Sequence, residues 1–248
     1  MYAFDITASS RVGCIRDNNE DMILVGNQFI RDNQTEMSVS LKENDRFLFA
    51  LADGMGGHNC GEVASSDVLH NLQFFYNDMP AGLDINAFNE AIFEWLNSMN
   101  IIIDSKGRAD KQFKNMGTTL VALAYYEGNF YWLNCGDSRL YRLHEGKLMQ
   151  MTTDHSLSNM MGSNVHSHII TNCIGGGCTS SYIDIVQCTA EVESGDTFML
   201  CSDGLTDMVN DISIESLLNH DKNANDLCMA AEAAGGKDNV SVVVCRLK

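Results

Sequence analysis

The chain has 248 residues, 45% of them hydrophobic, and a formal net charge of -17 from 33 acidic against 16 basic residues. That length allows a sizeable core, and the acid excess argues against nucleic acid as a partner, since such binders carry a basic patch. Nine scattered cysteines without a CxxC pair argue against a disulfide framework or a zinc site and fit a reducing cytoplasm.

The N-terminus, MYAFDITASS, has neither the basic nor the apolar region of a signal peptide. No apolar run approaches the roughly 20 residues of a membrane span, so no membrane partner is expected. There is one proline, Pro80, and no repeat or low-complexity linker. A single continuous domain over residues 1–248 is therefore expected.

In chain order, residues 46–52 (RFLFALA) predict a buried strand. Residues 62–76 predict a helix with Val63, Val68, Leu69, Leu72 and Phe75 near one face. A longer helix is predicted over 84–104, where Phe88, Ala91, Ile92, Trp95, Leu96 and Met99 follow three-four spacing; the stripe reads as a core face. Strands follow at 118–126, 129–134 and 139–143, with Glu127-Gly128-Asn129 as the turn between the first two. Residues 197–202 predict another strand, 212–220 and 223–234 two helices, the second capped by Asn223, and 240–246 a last strand. Strands grouped between helix pairs point to packed sheets with helices outside rather than a βαβ repeat.

Acidic residues recur where these strands end. Glu20 and Asp21 close "RDNNED", Asp53 follows FALA, Asp137 follows YWLNCG, Asp203 follows FMLCS and Asp238 precedes NVSVVV. Each alone reads as a turn or loop acid; "GDSR" would be a hairpin turn with a surface arginine, and Asp207 a surface acid after Asp203. Five such strand-end sites in one chain are poorly explained as independent turns. Carboxylates converging from several strand ends suit a hard divalent cation with oxygen ligands, and such a cation lowers the pKa of bound water. Arg16, four residues before Glu20, could grip a phosphate bidentately there, although alone it reads as a surface charge.

Competing motifs fail. A GxGxxG pattern from Gly54 would need glycine where Asn59 stands, and Gly236-Lys237 is followed by Asp238 rather than Ser or Thr. Asp154-His155-Ser156 holds the letters of a triad, but a triad is built from distant residues. His58 reads equally as a loop histidine or a group facing substrate.

The ordered set RDNNED (16–21), ADGMGGHNCGEVAS (52–65), GTT (117–119), NCGDSRLY (134–141), TTDHS (152–156), SDGLTD (202–207) and GGKDNVSVVV (235–244) resembles the PPM, or type 2C, family of metal-dependent serine/threonine protein phosphatases, in its bacterial branch. The resemblance implies an α+β fold, a four-layer α/β/β/α sandwich of two antiparallel sheets. It implies two Mn²⁺ or Mg²⁺ ions bridged by Asp53, with Glu20 and the Gly54 carbonyl completing one site and Asp203 and Asp238 the other. Asp21 would contact metal-bound water, Arg16 would bind the phosphate, and Asp137 with Asp207 would hold a third, weaker ion. Water activated by the metals would attack phosphorus without a phosphoenzyme. A monomer acting on phosphorylated proteins, a Ser/Thr kinase and its substrates, is the implied setting.

Two departures stand out. Met55 occupies the position after the DG pair where animal members carry a histidine, and the flap segment, about 157–169, is short. Two other readings stay open: a phosphatase-like scaffold that has lost catalysis, and a phosphatase acting on an anti-sigma-factor antagonist.

Overall fold

The computed structural model describes residues 1–55, 60–161, 169–178 and 180–248. The strands are β1 (Tyr2–Arg11), β2 (Met22–Val25), β3 (Gln28–Ile30), β4 (Asn33–Leu41), β5 (Arg46–Ala52), β6 (Gly54–Met55), β7 (Gly117–Thr118), β8 (Leu120–Tyr126), β9 (Asn129–Cys135), β10 (Arg139–His144), β11 (Lys147–Gln150), β12 (Ile174–Gly175), β13 (Asp184–Gln187), β14 (Thr197–Cys201) and β15 (Val240–Leu247). The helices are α1 (Gly61–Asp78), α2 (Ile85–Ala109), α3 (Leu157–Met161), α4 (Asp203–Thr206), α5 (Asp211–Asn219) and α6 (Ala224–Ala233).

Two six-stranded antiparallel sheets carry the molecule. The first runs β11-β10-β14-β15-β1-β4, the second β13-β9-β8-β5-β2-β3. A three-stranded patch, β12-β7-β6, lies beside them. Side chains alternate across a strand, so each sheet feeds two cores. In β5, Phe49 and Leu51 face the core between the sheets, while Leu48, Ala50 and Ala52 face α1 and α2. In β15, Val243 and Cys245 face the inter-sheet core, while Val240, Val242 and Val244 face α5 and α6. The layers are therefore α/β/β/α, as expected from the sequence.

Double burial explains why these strands read as continuous apolar runs. RFLFALA contains leucine and alanine, both good helix formers. Propensity differences are at most about 0.7 kcal/mol per ordinary residue, against about 1.5–3 kcal/mol for burying one large apolar side chain. Packing wins, and the segment is a strand. Helix starts are set by polar caps: the Asp84 carboxylate accepts from the Ala87 N–H, Asn210 from Ser213, and Asn223 forms a reciprocal capping box with Asp226.

The expected strand over 118–126 is two strands, broken at Thr119, whose N–H donates to the Asp53 carbonyl at 2.9 Å instead of to a sheet neighbour. The long N-terminal strand β1 was not among the expected elements. It pairs on both sides, with β15 and β4. The flap segment is described only at α3 and from Ile169 onward; residues 162–168 lie outside the described residues, as do Gly56, Gly57 and His58. Among the described residues no helix is long and apolar enough to cross a membrane.

Candidate active site

Strand register places the acids at one end of both sheets. Arg11 at the end of β1 pairs with Val240 at the start of β15, and Cys201 at the end of β14 pairs with Val242 and with Arg139 at the start of β10. Asp203, Asp238 and Asp137 lie just beyond these ends. In the other sheet, Met22 at the start of β2 pairs with Ala52 at the end of β5, and Leu120 at the start of β8 pairs with Cys135. Glu20, Asp21 and Asp53 lie just beyond those.

The backbone of Asp53 is clasped from the GTT segment. Its N–H donates to Thr119 Oγ1 at 3.0 Å, and its carbonyl accepts from Thr119 N at 2.9 Å and Thr118 Oγ1 at 2.8 Å. Thr119 Oγ1 also meets Ser138 Oγ at 2.7 Å, beside Asp137. Burial first, then the charges of Asp21, Asp203, Asp137 and Asp238, push the Asp53 carboxyl well above the usual carboxylate range. Asp21 is pushed up to about 7, chiefly by burial, although Ser202 Oγ donates to its Oδ2 at 2.9 Å. Asp137 is pushed up to about 7 by burial and by Asp203. Carboxylates that raise one another's pKa in this way cannot all ionise without added positive charge.

Glu20 is threaded between three elements. Its N–H donates to Asn239 Oδ1 at 2.9 Å, its carbonyl accepts from Gly54 N and Ser65 Oγ, and its Oε1 accepts from Gly61 N at 3.2 Å, the first N–H of α1. A helix N-terminus favours a carboxylate, yet burial still raises the Glu20 pKa. A side chain on Gly61 would lie 2.7 Å from the Glu20 carboxyl carbon and 2.8 Å from the Gly54 carbonyl oxygen. Only glycine fits, and the two oxygen donors expected to share one ion flank the same point. The Gly54 N–H is spent on Glu20, so this loop does not aim it at an anion.

Arg16 is exposed and donates from Nη2 to Asp238 Oδ2 at 2.6 Å. That contact raises its pKa, with further support from Glu20 and Asp53. Asp203 opens α4, and Asp207 caps that helix at its exposed end, its N–H on the Asp203 carbonyl. Met55 sits half-buried on β6, paired with Gly117.

Do these residues fit divalent cations? Two buried carboxylate oxygens, Oδ1 of Asp21 and Oδ1 of Asp137, have no hydrogen-bond partner among the described residues. The donor set is all oxygen, which suits Mg²⁺ or Mn²⁺. Among the described residues, however, no group of three or more His, Cys, Asp or Glu side chains is arranged as a finished metal shell. The chemistry fits, and Asp238 is held by Arg16.

Two residues with positioning roles, Asn239 and Arg31, were not singled out from the sequence. Asn239 donates to the carbonyls of Val12 and Asn18 while accepting from Glu20 N, so it stitches the Arg16 segment to Asp238. Arg31 ties the Asp21 carbonyl to the first turn of α1. His155 is no triad member. Its Nδ1 accepts from Gly136 N and from Asn172 Nδ2, so Nε2 carries the proton and donates to Asp184 at 3.0 Å. It braces the loop of Asp137. Arg139, read as a surface arginine, instead grips Asp154 with two nitrogens at 2.6–2.9 Å. Asn239, His155 and Arg139 lie within the quoted motifs, whereas Arg31 lies in none of them; the three bond Glu20, Gly136 and Asp154 respectively, each outside the residue's own motif.

Residues 26–239 match the family described as Protein phosphatase 2C. The chain belongs to that family. It is 32% identical over 247 residues to the serine/threonine protein phosphatase PstP of Mycobacterium tuberculosis, covering 96% of this chain and 44% of that relative. The chain thus spans less than half the length of the mycobacterial protein. A solved structure of the S. agalactiae serine/threonine phosphatase superposes with a TM-score of 0.81 at 27% identity, covering 99% of this chain and all of that one. The catalytic domain of PstP in complex with two manganese ions superposes at 0.77 with 29% identity, covering 100% and 99% of the two chains. These relatives are bacterial, as the motif set implied.

Proposed function

We propose that this 2C-type protein is a metal-dependent phosphatase that hydrolyses phosphoserine and phosphothreonine in proteins. The observation that carries the reading is the gathering of Asp53, Asp21, Asp137, Asp203 and Asp238 at one end of both sheets, each charge felt at Asp53, with Arg16 at its rim.

Asp53 would bridge two Mn²⁺ or Mg²⁺ ions, with Glu20 and the Gly54 carbonyl on one and Asp203 and Asp238 on the other. Asp137 and Asp207 are candidates for a weaker third, and Asp21 for a contact to coordinated water. Bound there, divalent cations would supply an acidified water and offset phosphate charge. The protein's own part is to hold Asp53 rigidly through Thr118 and Thr119, to fix Glu20 at the start of α1, and to present Arg16. A phosphate arriving at Arg16 competes with Asp238 for the guanidinium, so substrate binding releases Asp238 toward the acid cluster. Residues 1–248 act as one domain in this reading, supported by three cores that share two sheets. Nine free cysteines suit a reducing cytoplasm, and the phosphoproteins would be those of a Ser/Thr kinase, met by a monomer.

Phosphate release from a phosphothreonine peptide tests the reading: turnover with Mn²⁺ and none with chelator is expected. No turnover with Mn²⁺ or Mg²⁺ at several pH values would refute it. A second reading, a binding module without turnover, draws on the lack of a finished metal shell among the described residues. Calorimetry separates the two, since such a module takes up no Mn²⁺ in the micromolar-to-millimolar range.

A further inference from the structure

Residues 173–178 read Cys-Ile-Gly-Gly-Gly-Cys, and the two sulfurs lie 3.7 Å apart. The chain returns on itself because Gly175, Gly176 and Gly177 all adopt left-handed φ, at +75°, +63° and +78°. The Cys178 N–H closes the turn on the Gly175 carbonyl at 3.0 Å. Cys173 is buried and Cys178 is half-buried, so one sulfur is sheltered and the other is reachable. A Cβ on Gly176 would sit 2.7 Å from Cys173 Sγ; the glycine is what lets the loop cross that sulfur.

This loop is packed against the strand end that carries Asp53. Gly176 N–H donates to the Met116 carbonyl at 2.8 Å, and a Cβ on Gly117 would meet Gly176 N at 2.6 Å. Ile174 and Gly175 pair with Thr118 and Gly117, which pair in turn with Gly54 and Met55. A Cβ on Gly176 would also come within 3.9 Å of Met55 Sδ. Thr118 holds the Asp53 carbonyl. The contacts leave little slack between the sulfurs and the acid cluster.

We propose that Cys173 and Cys178 form a reversible oxidative modification site, closed to a disulfide by a hydroperoxide, which displaces the Gly54–Met55 strand and lowers metal affinity and turnover. The coupling to turnover rests on the phosphatase reading above; the disulfide itself does not. The Cys178 thiolate attacks the peroxide, forming an S–O bond as the O–O bond breaks, and yields a sulfenic acid and one alcohol or water. Cys173 sulfur then attacks Cys178 sulfur, the S–O bond breaks, and hydroxide leaves as water with the Cys173 proton. Two thiols lose two electrons to one peroxide. Burial and the neighbouring Cys178 push the Cys173 thiol up to about 12, so it acts second, where proximity replaces acidity. The sulfurs must close from 3.7 Å to about 2.05 Å, and the tight loop passes that movement to Gly117.

Purified protein treated with hydrogen peroxide, then alkylated and digested, should give a 173–178 species two hydrogens lighter and unalkylated. Its Mn²⁺ affinity by calorimetry and its release of phosphate from an aryl phosphate should fall about tenfold to hundredfold, as for a displacement near 1 Å at a site, and recover with dithiothreitol. Cys178→Ser and, separately, Cys173→Ser should keep affinity and turnover under the same treatment. Alkylation of both cysteines after peroxide, or a lone sulfinic Cys178, would overturn the site. A disulfide with unchanged Mn²⁺ affinity would overturn the coupling. If the untreated protein has no turnover, the phosphatase reading fails, while peptide map and Mn²⁺ affinity still judge the proposal.

Discussion

The two halves of the acid cluster are held in different ways. The half from the β5 sheet, Glu20 and Asp53, is fixed by backbone hydrogen bonds and by glycine contacts that admit no side chain. In the other half, Asp238 is held by charge: it pairs with an exposed arginine, side chains 37% and 53% exposed. An ion pair this exposed is worth about 0–1 kcal/mol and is exchangeable, whereas the Asp53 clasp has three hydrogen bonds at about 1 kcal/mol each and is not. One side is built as an anvil and the other as a latch.

Breaking the fixed half should cost most. Asp53→Asn should lower turnover by about a thousandfold or more, since several kcal/mol of charge stabilisation depend on bridging two cations; near-normal turnover in a steady-state assay would overturn the bridging assignment. Arg16→Ala probes the latch. It should lower kcat/KM by about tenfold to hundredfold, mostly through KM, while tightening Mn²⁺ in calorimetry because Asp238 is released. Weaker Mn²⁺ binding would contradict the latch.

The charge balance gives a pH test on chelator-treated protein. Asp21 and Asp137 titrate near 7 when folded, but near 3.9 when unfolded. The folded state therefore keeps protons that the unfolded state has released, and stability is lost as pH rises through about 7. Thermal unfolding should show the metal-free protein a few kcal/mol more stable at pH 5 than at pH 8, by the order of 1.4 kcal/mol per pKa unit. Mn²⁺ should reverse that order. The smallest effect is expected from Thr119→Val, which removes the hydroxyl between Asp53 N and Ser138: about 1–3 kcal/mol of stability by chemical denaturation, with a lower kcat and little change in KM.

Strands buried on both faces were legible because packing forces apolar residues at nearly every position; β5 has the expected bounds, 46–52. The acids were legible for the same reason, since a carboxylate cannot continue such a run and so marks its end. What stayed hidden depends on partners distant in sequence. The break at Thr119 follows from a contact 66 residues away. The Arg16–Asp238 pair spans 222 positions, and the Asn239–Glu20 bond 219. β1 is rich in small and polar residues, and only its place between two partners makes it the strand it is.

That placement has a consequence for birth of the protein. In its sheet, β15 lies between β14 and β1, so β1 is completed by a strand made much later. At about 5–20 residues per second, the ribosome adds about 230 residues after Arg11 before Val240 can join it and Asp238 can reach Arg16. Arg16 thus meets Asp238, and Glu20 meets Asn239, only once synthesis has reached the start of β15.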